Sequence, residues 1–241
     1  MTHRVSQPLW LIVLLAGLLA SVSLSWFGMG KVHYGFSYWY DFYGIEAHID
    51  KYGPQNRYIR GLESVSPIEH IRLFNEISDA VHNHGEGLKS ISFERWGHQT
   101  RLLRKPEVQH LQDVADLIDV LRIAAIISGL ICVVGSAALL GLKTRPSWAI
   151  QGGLLLFLIA GITAAVLITG PLKVFYFLHE HIFPPDHAWF FYYQDSLMAT
   201  LMKAPDLFGG IAAVIAIAGV VLFGGYLWLL LRAAAWRNRQ V

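Results

Sequence analysis

Histidines and carboxylates are the residues of this sequence whose types and spacing could move protons, and two stretches concentrate them. In the first, Glu107 to Val114, His110 is followed three residues later by Asp113. A preceding proline and apolar residues at three- and four-residue spacing predict an amphipathic helix with both side chains on one side. The carboxylate stabilises the charged form of the imidazole, whereas the dipole at the helix start destabilises it. An imidazole between these two influences could take up and return a proton. A solvated histidine at a helix start is the alternative.

The second stretch, residues 175–193, sets three histidines and two acidic residues among mostly aromatic side chains. Polar groups in apolar company lose hydration, which makes their proton affinity adjustable. His179-x-His181 with Asp186 or His187 also has ligand types acceptable to zinc, although no His-Glu-x-x-His helix supports such a site. Proton transfer is the preferred interpretation and metal binding the alternative, and no metal site is predicted.

Four apolar segments must position these histidines, and each is long enough for a transmembrane helix of about 20 residues. The chain is 54% hydrophobic with only 15% charged residues, and the third and fourth segments carry no charge. Because none of the segments contains a histidine, haem bound within the bundle is not expected. We therefore predict an all-α membrane protein with transmembrane helices at Leu9 to Phe27, Ile123 to Leu142, Trp148 to Thr169 and Ile211 to Leu231.

The distribution of lysine and arginine in the short segments predicts the orientation. Arg4, Lys143, Arg145 and the arginines of the tail fall on one side, where none of the 17 acidic residues occurs. Both termini are therefore expected in the cytoplasm and ten of the eleven histidines outside. The predicted division begins with a cytoplasmic N-terminus and first helix (1–27), followed by a mainly helical extracytoplasmic domain between helices 1 and 2 (28–120). The other three helices follow (121–231), with an aromatic, histidine-bearing outer loop at 170–205, and the chain ends in a basic cytoplasmic tail (232–241).

The first apolar segment and the single cysteine limit the alternatives further. A cleaved signal peptide is possible, but the apolar run is longer than the usual run of about 7 to 15 residues, so a retained anchor is favoured. Cys132 is the only cysteine, which excludes an intramolecular disulfide and cysteine-ligated metal chemistry within one chain. The net charge of +2 is small, and no nucleic-acid partner is expected.

The predicted extracytoplasmic domain begins with a run of aromatic residues that includes Tyr38 and Trp39. An interfacial belt at headgroup depth is the favoured interpretation, and a groove for acyl chains would use the same residues. Further along, Ser66 and Glu69 form a capping box that predicts an amphipathic helix to about His82. Residues 90–93 alternate weakly and suggest a short strand.

Histidine-based proton transfer would suit an acyl migration from oxygen to nitrogen. Such a step needs a base for the attacking amine, an acid for the leaving alkoxide and stabilisation of the oxyanion between them. A covalent acyl-enzyme is not suggested, because the chain has no Gly-x-Ser-x-Gly elbow and no exposed cysteine is predicted. No cofactor is predicted.

Two motifs resemble those of a known bacterial family of four-span membrane proteins. Glu107-x-x-His110-Leu-x-Asp113-Val is similar to the Glu-x-x-His-Φ-x-Asp-Val signature of the lipoprotein intramolecular transacylase family. The run from Leu178 to Phe183, then Trp189, is similar to the family's Phe-His-x-x-Phe-Phe and Trp, with leucine in place of the first phenylalanine. The layout of spans and outer segments is similar too.

The resemblance implies an acyltransferase of the bacterial cytoplasmic membrane that moves the sn-2 acyl chain of a diacylglyceryl-modified lipoprotein to its N-terminal cysteine amine. His110 would be the general base, oriented by Asp113, and His179 an acid or oxyanion donor, with His181 competing for that second role. Substrate contacts would come from His181, Trp189, Tyr38 and Trp39, and membrane lipids would surround the protein. The alternative is a non-enzymatic or metal-binding membrane protein that keeps the scaffold without the chemistry.

Overall fold

The computed structural model describes residues 3–238, with side chains from 6 to 237, so the predictions that rested on the side chain of Arg4 and on Arg239 lie outside the described residues. Over the described range the chain is mainly helical. Its helices are α1 (His3–Gly30), α2 (Phe36–Phe42), α3 (Ile45–Tyr52), α4 (Pro67–His82), α5 (Lys105–Gly141), α6 (Trp148–Thr169), α7 (Pro171–Ile182), α8 (Leu197–Met202) and α9 (Asp206–Asn238). Two antiparallel strands, β1 (Ser92–Arg95) and β2 (His98–Arg101), complete it.

Four of the described helices, α1, α5, α6 and α9, are long and apolar enough to cross a membrane. The prediction of an all-α membrane protein with four transmembrane helices is therefore confirmed. At 37 residues, α5 is about 55 Å long, whereas a bilayer core is about 30 Å thick. The part of α5 that can span begins near Ile123, and its charged first turns lie outside the spanning part.

One compact unit, the bundle unit, contains the described residues up to Phe27, together with residues 121–170 and those from Ala213 onward. Its buried core includes Trp10, Leu14 and Phe223. Polar side chains also join distant helices, since Ser25 Oγ donates to the Ile215 carbonyl at 3.0 Å. Hydrogen bonds of this kind favour association where lipid offers no alternative partner.

The other unit, which we call the second unit, contains residues 28–120 and 171–212. Half of the segment predicted as an outer loop, 170–205, is α-helical, in α7 and α8. Pro171 occupies the first position of α7, where proline is favoured, and α8 is capped by Ser196 Oγ, which accepts from Ala199 N at 2.9 Å. All six residues of α8 are buried.

Within the second unit, α4 packs against α2, α8 and β1. Ser66 caps α4 as predicted, while the carboxylate of Glu69 binds Arg72 instead of reaching back. The predicted strand is observed two residues later as β1, and its partner β2 was not predicted. Trp96 and Gly97 join them with φ values of 50° and 81°, the backbone of a two-residue hairpin turn of type I′.

Candidate active site

His110 lies buried in the first turns of α5, with only 8% of its surface exposed. Its ring is surrounded by rings from elsewhere in the second unit. The centroid distances are 5.0 Å to Phe183, 6.0 Å to His179 and 6.1 Å to Phe191. Its Nδ1 is buried and has no hydrogen-bond partner among the described residues. Because a buried unpaired N–H is more costly than a bare lone pair, the neutral ring is expected to carry its proton on Nε2.

His179 faces His110 from α7, and its tautomer is fixed. The backbone carbonyl of Phe175, which can only accept, receives a hydrogen bond from His179 Nδ1 at 2.8 Å. Nε2 of the neutral ring therefore keeps a lone pair and can take up a proton. The ring packs against Phe175 at 3.9 Å and Trp189 at 5.2 Å.

Desolvation keeps this histidine pair neutral. Burial lowers the pKa of His179, and the bond to the Phe175 carbonyl opposes that shift without reversing it. His110 is more deeply buried and has a second imidazole beside it, so its charged form is disfavoured by both effects. The site therefore holds one imidazole with a fixed acceptor nitrogen and one with a free donor.

Asp113, which was predicted to orient His110, hydrogen-bonds a different histidine. Its Oδ2 accepts from His187 Nδ1 at 2.7 Å, and both side chains are largely shielded from solvent. Asp113 thus acts on His110 only as a nearby charge. Sequence spacing could not indicate this partner, because 74 residues separate His187 from Asp113.

His181 does not face His110. It lies two residues after His179, which places it on a different side of α7, and its exposed ring stacks on Phe177 at 4.1 Å. His179 and His181 therefore do not form a common ligand pair. Among the residues with described side chains, no group of three or more histidine, cysteine, aspartate or glutamate residues is arranged to hold a metal ion.

The predicted substrate-binding aromatics fall into two places. Trp189 contacts His179 directly and also lies 5.8 Å from Tyr176. Within the described part of the chain, the ring contacts of Tyr38 and Trp39 are with each other, Phe42 and Tyr43, and none is with the histidine pair. Trp39 is buried, whereas Tyr38 is exposed.

Glu107 positions His110 from the same helix, and sequence reasoning did not recognise this role. Its buried carboxylate accepts from Ser196 Oγ and from Arg104 N, and it lies 3.4 Å from the Arg104 guanidinium. Ser196 also caps α8, so one carboxylate joins the start of α5 to the start of α8. The Glu-x-x-His spacing was the available signal, but the partner lies 89 residues away.

Two further histidines, the buried His70 and the half-buried His48, contact other residues of the second unit. His70 lies between the Tyr40 hydroxyl, at 2.7 Å, and the Leu62 carbonyl, at 2.8 Å, and burial lowers its pKa. Burial also lowers the pKa of His48 to about 4, with Lys203 adding to the effect. Its ring packs on Tyr193 at 4.4 Å.

Comparisons with known proteins identify a family and a fold. The sequence profile of the family described as lipoprotein intramolecular transacylase Lit matches residues 77–204, which include both histidines. No curated protein sequence matches the chain. The solved structure of the integral membrane lipoprotein intramolecular transacylase Lit from Bacillus cereus superposes with a TM-score of 0.69 at 16% identity, covering 100% of both chains. A variant of that protein with one histidine changed to arginine gives 0.65 at 18% identity, covering 97% of this chain and 95% of the variant. These structural matches show the fold.

Proposed function

The chain belongs to the lipoprotein intramolecular transacylase family, and on that premise we propose that His110 and His179 together catalyse its acyl transfer. The reaction moves an acyl chain from the diacylglyceryl group of a lipidated N-terminal cysteine to the amine of the same cysteine. The observation that carries the proposal is the placement of the two rings 6.0 Å apart in an aromatic, dehydrated site.

The tautomers favour a division of roles opposite to the one expected from the sequence. His179 Nε2 has the lone pair, so it is the general base that takes the proton from the attacking amine. His110 Nε2–H donates to the oxyanion that forms on the ester carbonyl. Asp113 helps to position the site through His187 and by its charge.

Each bond and proton is accounted for within these groups. The amine nitrogen attacks the ester carbonyl carbon, the C–N bond forms and the carbonyl oxygen becomes an oxyanion. His179 receives the proton from nitrogen and returns it to the glycerol oxygen as the C–O ester bond breaks. The products are an N-acyl cysteine and a glyceryl hydroxyl, the lyso-form, and no second lipid is consumed.

The dehydrated surroundings make this proton transfer feasible. A substrate α-ammonium has a pKa of about 8 in water, well above that of a buried histidine. The burial that lowers the pKa of His179 also disfavours the charged ammonium, so the bound amine is neutral and nucleophilic. The ester and the amine are already joined in one molecule, so much of the entropic barrier is absent before binding.

The aromatic residues give the site its acyl-chain surface in this proposal. Trp189 packs on the His179 ring at 5.2 Å, and in this proposal it also contacts the transferred chain. The exposed Tyr38 and His181 would contact lipid or the outer parts of the substrate at interface depth, and the buried Trp39 would support the Tyr38 ring, which lies 5.2 Å away. The termini are cytoplasmic and the histidine pair is on the outer side of a bacterial membrane, where lipoproteins are processed.

Mass spectrometry of lipoprotein N-termini tests this function in cells. The host should lack its own transacylase and express wild type, His110→Ala or His179→Gln, with His98→Gln as a control because His98 is exposed on β2. Wild type and the control should yield lyso-form N-acyl termini, and the two site variants should not. Identical termini in cells with and without the wild-type protein would contradict the proposal and favour a scaffold without chemistry.

A further inference from the structure

The irregular segment 183–192, here called the aromatic loop, covers the histidine pair. Phe183 and Phe191 contact His110, while Phe183 and Trp189 contact His179 at 5.2 Å each. The loop therefore supplies much of the apolar surroundings that dehydrate both imidazoles. Neighbouring loop side chains, such as Phe190 and Tyr192, remain exposed.

The polar attachment of this loop to the helices is sparse. Among the described residues, the bond from His187 Nδ1 to Asp113 Oδ2 is the one hydrogen bond or ion pair from residues 184–192 to an α-helix. The backbone N–H of His187 is used locally, donating to the Pro184 carbonyl at 3.1 Å. Asp113 lies one turn after His110 on α5, so this single bond holds the loop beside the reacting group.

We infer that His187 is a positioning residue whose hydrogen bond to Asp113 latches the aromatic loop over the His110–His179 pair. The inference rests on the proposed function for its catalytic consequence. The latch has a carboxylate acceptor, and bonds to a charged partner are stronger than neutral ones, so one such bond can hold a loop of this length. When the latch opens, the imidazoles become hydrated and an acyl chain can enter or leave. When it closes, the site is dry and the rings are fixed.

Hydrogen exchange of the full-length protein in lipid nanodiscs tests the latch without relying on catalysis. Asp113→Ala and His187→Phe should each speed amide exchange in residues 186–192 by about tenfold, the factor expected for loss of one such bond. The double variant should be no faster than either single variant. Asp116→Ala is the matched control, because Asp116 lies on the same helix and is exposed.

A second readout separates positioning from general stability. With the latch removed, the pKa of His179, lowered by burial in the wild type, should rise toward the ordinary value of about 6.5, as followed by NMR of isotope-labelled histidine. Asp113→Asn keeps an acceptor oxygen and should restore part of the slow exchange. Unchanged loop exchange, or additive effects in the double variant, would overturn the latch. Full activity of His179→Gln would instead overturn the proposed function and leave the exchange result intact.

Discussion

At the residue scale, one hydrogen bond distinguishes the two site histidines. His179 Nδ1 donates to the Phe175 carbonyl four residues earlier on α7, whereas no residue that the structure describes hydrogen-bonds His110 Nδ1. Helical spacing explains why a histidine at that position finds this carbonyl. Both histidines could be selected from the sequence. Their tautomers depend on tertiary packing, which residue spacing does not report. For this reason our proposal exchanges the base and the donor that were predicted from the sequence.

Conservative substitutions should separate the two roles. His179→Gln removes the base and should lower the rate of transfer by about 10²- to 10⁴-fold. His110→Ala removes the oxyanion donor and should cost about 10²- to 10³-fold, whereas His110→Gln keeps an N–H near the Nε2 position and should retain more activity. Single-turnover rates with a diacylglyceryl lipopeptide measure this order. Equal losses for glutamine and alanine at position 110 would remove the donor role.

At the element scale, α5 carries His110 into the site, and its start is fixed to α8. Glu107 accepts from Ser196 Oγ, and the same hydroxyl oxygen accepts from Ala199 N as the α8 cap. Two elements far apart in the chain are thereby set relative to each other by one buried hydroxyl. The helix over 105–141 could be predicted from its apolar spacing. In contrast, α7 and α8 were not predicted, and their segment was assigned only as an aromatic, histidine-bearing outer loop.

Ser196→Ala should therefore destabilise the second unit and weaken catalysis indirectly. The change removes a helix cap and leaves Glu107 with one fewer donor, at a cost of about 1 to 3 kcal/mol. Thermal unfolding should show the loss, and the same measurement on Ser90→Ala, an exposed serine on another turn, serves as a control. If the midpoint for Ser196→Ala equals that of the wild type, the tie between α5 and α8 contributes little.

At the scale of the whole molecule, the length of the apolar segments predicted the four spans, because a helix needs about 20 apolar residues to cross the bilayer core. The family and the helical fold that the sequence predicted are both confirmed. The contacts that assemble the site were beyond such an analysis. The partners of Glu107 and Asp113 lie 89 and 74 residues away, and one sequence reports only local spacing.

Buried neutral histidines should make the second unit sensitive to acid. Burial lowers the pKa of His48 to about 4 and that of His70 and His179 below their ordinary value. Between pH 6.5 and 4 the unfolded chain therefore binds more protons than the native one, so stability falls as pH falls, by at most about 1.4 kcal/mol per pH unit and histidine. Melting curves should show this fall, and His48→Gln should make it shallower. A flat profile would contradict the buried neutral state.

The proposed orientation is testable by labelling single cysteines. In a Cys132→Ala background, Glu86→Cys and Glu180→Cys, both exposed in the second unit, should react with an impermeant maleimide added to whole protoplasts. Lys143→Cys, in the link between α5 and α6, should react only after lysis. The reverse pattern would invert the topology and place the histidine pair on the cytoplasmic side.

The most direct test follows the acyl chain itself. Purified protein in nanodiscs receives a synthetic lipopeptide whose sn-2 chain alone carries ¹³C, and product fragments are read by mass spectrometry. The account predicts labelled acyl on the cysteine nitrogen and a free sn-2 hydroxyl, formed at least about 100-fold more slowly by His179→Gln. Transfer by His179→Gln at the wild-type rate, or label remaining on glycerol with the wild-type protein, would contradict it.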